Sequence, residues 1–186
     1  GGGVPFFIQS GRAFAQEAAQ AYTARRGEGD SEDEALGAVL HQIPFFARLS
    51  TFDATGRLTA STTADPSEAQ ALLEIGPALA RALEGAPQEQ VVAPAPGGTS
   101  ARLAFIVPLA GSGAAPAGAM AGWTELSTNP IFQPIVERLE AVEEGEAYLT
   151  DGAGRILVHP DAARILQTPS LPSETGTAST VTASDG

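Results

Sequence analysis

The chain has 186 residues, enough for one large domain or two small ones, and its 43% hydrophobic content supplies a core and excludes global disorder. Its formal charge is −12 and every basic residue is Arg, so it lacks the clustered cations that nucleic acid or an anionic membrane surface requires. With no Cys there are no disulfides, thiolate metal sites or Cys nucleophiles. No apolar run approaches the ~18–20 residues that span a bilayer, so the chain reads as soluble, with no signal peptide at its start and "GGG" as a cut end or tag remnant.

Residues Phe6 to Arg26 are rich in Ala, Gln and Glu and predict a helix, with Phe7, Phe14, Ala18, Ala21 and Tyr22 as one apolar stripe. "GEGDS" breaks it. Ser31 then opens a second helix as N-cap, Glu34 completes a capping box, Leu36, Val39 and Leu40 form the apolar face, and Pro44 bounds the end. From Phe45 the period changes. "FFARLSTFD" and "GRLTASTT" are strand-like runs joined by "DATG", where Asp accepts from backbone N–H groups ahead of it and Gly takes positive φ.

Asp65, Pro66 and Glu68 spell N-cap, N1 Pro and N3 acid, starting a helix "SEAQALLEIG" that is expected to break at Pro77 and restart as "PALARALEG". "EQVVAPAPGG", "ARLAFIVPLAG" and "AGAMAGWTEL" predict three more strands. Asn129-Pro130 then caps a helix with Ile131, Ile135, Leu139 and Val142 near one face, leading into a second hairpin, "EAYLTDGAGRILVHPD", and a short "DAARIL" helix. The Pro/Ser/Thr-rich tail reads as a linker, or through "TASTVTAS" as a strand of an unfinished sheet. Three segments result: residues 1–44 helical, 45–128 one module, 129–186 a helix and a partial module.

The two hairpins are copies. Aligning Asp53 with Asp151, an offset of 98 residues, also aligns Gly56 with Gly154, Arg57 with Arg155 and Leu58 with Ile156. A helix feeding strand–turn–strand, a helical excursion and three antiparallel strands is the PAS-like order, complete once and cut short once. On these residues, above all "YLTDGAGRILVHPD" and "FIVPLAGSGAAPAGAMAGWTEL", the chain resembles the double Cache sensor domains, the extracytoplasmic ligand-binding parts of bacterial transmembrane receptors. The resemblance implies an α+β fold, a long N-terminal helix followed by two PAS-like modules with antiparallel sheets, the second truncated after "TASTVTASDG". It implies a small-molecule ligand in the distal module, between sheet and helical excursion, and a proximal module near the membrane. It further implies homodimers through the N-terminal helix, whose stripe serves core packing, a dimer seam or both, and transmembrane helices outside this sequence.

Candidate site residues follow from the strands. Trp123, the only Trp, lies on the last distal strand with Glu125 two residues on; it either walls a pocket or fills the core. Arg102, if inward, would partner a ligand carboxylate, and otherwise is a solvated strand-edge cation. Ser61, Thr63 and Asp65 end the second strand at the pocket mouth, and Phe105 completes the set. Amino-acid-sensing relatives carry a spaced Tyr, Arg, Trp, Tyr and Asp set; the segment Phe45–Leu126 has no Tyr, so sensing by that set is not supported.

Other features read as structural. Asp53 and Asp151 organise their turns; two turns a module apart do not make a carboxylate pair. His159 closes a corner beside Pro160 and Asp161. His41 has no evident carboxylate partner, and two isolated histidines make no metal site. "GSGAAPAG" (Gly111–Gly118) joins strands and opens no helix, so it cradles no phosphate. No nucleophile–base–orienter set is present. The expectation is a non-enzymatic sensor without cofactor, the alternative being a ligand-free interaction or spacer module whose own side chains, Trp123, Phe105 and Phe52, fill the pocket.

Overall fold

The computed structural model describes residues 3–63, 68–141, 148–169 and 180–182. Helix α1 spans Gly3–Glu28 and α2 Glu32–Gln42, the latter opened by the expected reciprocal capping box between Ser31 and Glu34. Strands β1 (Arg48–Asp53) and β2 (Leu58–Ser61) form the first hairpin, α3 (Glu68–Leu83) follows, and β3 (Gln88–Val92), β4 (Arg102–Leu109) and β5 (Gly118–Glu125) complete a five-stranded sheet in the order β2-β1-β5-β4-β3. Then come α4 (Gln133–Glu140), the hairpin β6 (Tyr148–Thr150) and β7 (Ile156–Val158), a 3-10 turn over Ala162–Arg164, and β8 (Thr180–Thr182).

Three expectations are corrected. Helix α3 runs through Pro77 without a break. Proline removes one N–H and crowds the preceding turn, but Ala71, Ile75, Ala78 and Leu79 on either side are all buried in one core, which holds the helix together across it. Asn129 does not cap α4 directly: its Oδ1 accepts the Ile131 N–H at 2.9 Å in a turn, and the helix starts after Phe132. The second sheet, ordered β7-β6-β8, is mixed: β8 runs parallel to β6, pairing Tyr148 with Thr180 and Thr150 with Thr182. A parallel neighbour needs a long connection, and 29 residues, 151–179, separate the two strands in sequence. The tail therefore carries a strand at Thr180–Thr182, while the predicted cap at Asp65-Pro66 and the position Val142 lie outside the described residues.

Contacts group the chain into two compact units. One comprises residues 10–92 and 103–124, the other 1–9, 93–102 and 125–186. In the first, the sheet is covered on both faces. On one, α3 contributes Ala71, Ile75, Ala78, Leu79 and Ala82 against Phe52, Ala104, Ile106, Ala119, Ala121 and Trp123. On the other, α1 buries Ala15, Ala18, Ala19 and Tyr22 within the chain, so of the predicted stripe here Ala18 and Tyr22 are buried while Phe14 and Ala21 are half-buried. On the same side Phe105 stands edge-on to Phe45 at 5.9 Å. Helix α1 approaches so closely there that a Cβ at Gly11 would lie 2.2 Å from the Phe105 ring, so only glycine fits. In the second unit, Phe7 meets Phe132 edge-on at 5.1 Å, and Ser100 joins Ser127 through a 2.9 Å hydroxyl bond.

The repeat extends beyond its residues to its hydrogen bonds. Asp53 Oδ1 accepts the N–H groups of Thr55 and Arg57 at 2.9 and 3.1 Å, and Asp151 Oδ1 accepts those of Ala153 and Arg155 at 3.0 and 2.9 Å. Gly56 and Gly154 sit at φ +83° and +77°, the region that only glycine enters without penalty. Even the bulges match, between Thr51 and Phe52 in one copy and Leu149 and Thr150 in the other. The Thr55 hydroxyl, followed by the Arg57 N–H, holds the Asp53 carboxyl below its usual range. Both aspartates are turn organisers, as their spacing implies.

Candidate functional site

The α3-facing side of the five-stranded sheet carries a polar cluster inside an otherwise apolar layer. Strand alternation puts Arg48, Ser50 and Phe52 of β1 on this face, and antiparallel pairing sets Arg48 directly opposite Trp123 of β5. The Arg48 guanidinium lies over the indole, its carbon 4.5 Å from the ring centroid, a cation–π arrangement. Trp123 Nε1 donates to Ser50 Oγ at 3.2 Å, and Ser50 Oγ lies 3.4 Å from Ser61 Oγ across the β1–β2 pair. From the first turn of α3, Glu68 brings Oε1 to 3.4 Å from Arg48 Nη1.

Burial makes this cluster unusual. Arg48 is 6% exposed, Ser50 0% and Trp123 2%. A buried guanidinium cannot lose its proton, so it persists only where anions, dipoles and aromatic faces replace its water. This is the shape of an anion-recognition point: a fixed cation backed by an aromatic plane, with hydroxyls beside it. Among the described residues no group of three or more His, Asp or Glu side chains is placed to hold a metal ion.

The sequence-predicted residues divide. Trp123 and Ser61 are in the cluster. Thr63 is exposed two residues further along, its carbonyl accepting from the Ser61 hydroxyl at 3.1 Å. Phe105 is buried on the opposite, α1-facing side of the sheet, so it does not join Trp123. Arg102 is buried at the start of β4, not a solvated edge cation; its Nε donates to Ala93 O at 2.8 Å. Glu125 is partly exposed at the end of β5, and by contact both Arg102 and Glu125 belong to the other unit. Asp65 lies outside the described residues. His159 closes its corner as expected, Nδ1 accepting the Asp161 N–H at 2.8 Å.

Arg48, Ser50 and Glu68 were missed by sequence reasoning. The signal was present in "RLSTFD", where Arg and Ser alternate onto the Phe52 face, but it becomes legible only once β1 is known to lie beside β5.

No family model matches the chain, and no curated protein does either. Solved structures do. The ligand-binding domain of the Pseudomonas aeruginosa PAO1 amino acid chemoreceptor PctC, in complex with GABA, superposes with a TM-score of 0.57 at 24% identity, covering 89% of this chain and 75% of that one. That of the Pseudomonas fluorescens chemoreceptor CtaA with L-serine gives 0.55 at 20%, covering 89% and 70%. That of PctB from P. aeruginosa PAO1 with L-Arg gives 0.55 at 22%, covering 89% and 68%. The chain shares the fold of these ligand-binding domains. The polar cluster lies between the five-stranded sheet and α3, on the sheet's α3-facing side. The segment Phe45–Leu126 contains no Tyr, so it does not carry the Tyr-containing set.

Proposed function

We propose that this chain is the extracytoplasmic ligand-sensing domain of a bacterial signal-transduction receptor, non-enzymatic, taking a small molecule in its distal module. The observation that carries the reading is the buried Arg48 stacked on Trp123 beside Ser50 and Ser61, on the helix-covered face of the sheet. The likeness to chemoreceptor domains whose complexes hold GABA, L-serine and L-Arg supports the same broad role. Binding would bias the distal module between two arrangements, and the change would pass to a membrane-anchored output region through the proximal module. No helix among the described residues is long and apolar enough to cross a membrane, so the reading assigns anchorage to helices outside this sequence. Dimerisation through α1 belongs to the same proposal; since its apolar stripe is buried within the chain, a dimer would use another face, and sedimentation of the protein over a concentration series tests it.

A thermal-shift screen against organic acids, amines, amino acids, purines and sugars tests the sensing role. A ligand at ~100 times its Kd adds ~2.7 kcal/mol, hence about 5–11 °C for a chain of this size. A reproducible shift from one class, lost in Trp123→Ala, supports a sensor; silence from every class, with cooperative unfolding intact, sinks it. One observation favours the spacer alternative: Trp123 and Phe52 are buried together on the α3-facing side of the sheet, and Phe105 is buried on the other, the packing expected where side chains fill the module themselves.

A further inference from the structure

We infer that Glu68 is a built-in competitor at the distal site: a ligand bearing a carboxylate binds by replacing the Glu68 carboxylate on Arg48. This rests on the reading of the distal module as the ligand-binding one, and it names the ligand class and the protein group that must move.

Three observations carry it. Arg48 is the fixed partner, because its guanidinium is held against the Trp123 ring and its strand is paired on both sides, to β2 and β5. Glu68 is the movable one, since it occupies the first turn of α3, where the helix has least to hold it, and its side chain keeps 14% exposure against 7% for Arg48. The pair is also loose. At 3.4 Å it exceeds the roughly 2.7–2.9 Å of a charge-assisted hydrogen bond, whereas a free carboxylate can meet a guanidinium with two parallel bonds of that length. Exchange conserves charge: one carboxylate enters, and the other turns to water with its own charge intact. Arg48 is never left buried without an anion, which is the costly state that would otherwise block binding. The first turn of α3 thereby becomes the element whose position reports occupancy.

Trp123 supplies the assay, because the only Trp in the chain lies against the cation in question. Emission of the intact chain is titrated with sodium butyrate and with GABA, with sodium chloride holding ionic strength constant. Glu68→Gln removes the competing charge and should tighten both midpoints by about tenfold or more, while Arg48→Met abolishes both responses. Glu68→Asp, whose carboxylate is drawn back from Arg48, should tighten them to a smaller degree, and it carries the test if circular dichroism shows Glu68→Gln unfolded. Unchanged midpoints overturn the inference. A loss of GABA response alone in Glu68→Gln also overturns it, because Glu68 would then contact the ligand's ammonium. Should neither carboxylate act on any of these proteins while the thermal screen answers to sugars or purines, the inference falls and the sensing role stands. Silence in both experiments sinks both.

Discussion

The Arg48–Glu68 pair makes a stability prediction that can be worked from its geometry. At 3.4 Å, two unit charges in the effective dielectric of a protein near its surface attract by about 5 kcal/mol before desolvation is subtracted. Both side chains have lost most of their water, so much of that attraction offsets burial and does not appear as net stability. Arg48→Met leaves the Glu68 carboxylate largely buried without its cation and also removes the stack on Trp123; the expected loss is about 3 kcal/mol, or roughly 6–12 °C in Tm. Glu68→Gln leaves a cation that still has the indole face, and should cost about 1–2 kcal/mol. The double variant replaces two charges with neutral groups of similar length and should lie within about 1–2 kcal/mol of the parent.

The measurement is a double-mutant cycle from urea unfolding, followed by tryptophan emission and far-UV circular dichroism together so that two-state behaviour is checked. A coupling energy of about 2–3 kcal/mol is expected. Coupling below about 0.5 kcal/mol would mean that the charges are screened, and the description of a desolvated recognition point would be refuted. Joined to the binding assay, the cycle makes one variant do two opposite things. Glu68→Gln should be less stable than the parent and bind carboxylates more tightly. A purely structural ion pair gives the first effect without the second.

Gly118→Ala and Gly37→Ala should differ in sign. A Cβ at Gly118 would lie 2.0 Å from the Phe52 carbonyl oxygen, backbone against backbone in the paired centre of the sheet, so a loss of about 1–3 kcal/mol or more is expected. At Gly37, inside α2, nothing lies within 4 Å, and alanine should stabilise by about 0.5–1 kcal/mol; thermal melts of both variants check the pair. Ser31→Ala removes the side-chain cap of α2 and should cost about 1 kcal/mol by the same assay, since Ser31 Oγ accepts the Glu34 N–H. Asp53 carries a pH signature. Its carboxyl is held below its usual range by the Thr55 hydroxyl and the Arg57 N–H, so its contribution is fully present above the unfolded carboxyl pKa of about 4 and disappears as pH falls through the lower folded value. The Tm difference between the parent and Asp53→Asn should therefore be constant from neutral pH to about 5 and shrink in more acid solution; a difference independent of pH would show that the charge is irrelevant to the turn.

Local rules were enough for elements whose causes are local. The Ser31–Glu34 box and both Asp-Gly turns follow from residues within a few positions of each other and are present. The α1 stripe keeps Phe7, Ala18 and Tyr22 buried, while Phe14 and Ala21 are half-buried and Ala15 and Ala19 are buried in addition. Pro77 misled because the local rule, that proline ends a helix, was outweighed by burial on both sides of it. The site was legible only in part, because its members come from β1, β2, β5 and α3 and meet through strand register. Trp123 was visible as a lone aromatic, but Arg48 acquired meaning only from being opposite it. Phe105 was separable from the sequence alone. It is three residues from Arg102 in one strand, and an odd separation puts two residues on opposite faces.

The duplicated hairpin separates scaffold from site within this one chain. Positions that shape the turn are the same in both copies: Asp53 and Asp151, Gly56 and Gly154, Arg57 and Arg155, down to the bulge. Positions that face outward from the pairing are different. Ser50 corresponds to Tyr148 and Ser61 to His159, so the small hydroxyl pair of the first hairpin is, in the second, a pair of rings with centroids 6.4 Å apart. Two copies of one turn retain whatever backbone geometry demands, because a substitution at a positive-φ glycine or at the aspartate that satisfies the turn's N–H groups is costly in either place. They diverge where geometry leaves the side chain open. In the second hairpin that freedom is used to fill space, with Tyr148 and His159 both buried and the His159 ring closing on the Asp161 N–H. In the first, it is used to keep side chains short beneath a cation and an indole, with the two hydroxyls 3.4 Å apart and Ser50 Oγ accepting from Trp123. The same physical reasoning that makes Asp53 and Asp151 poor candidates for chemistry therefore makes Ser50 and Ser61 good ones, and directs the search for a ligand to the first hairpin over the second.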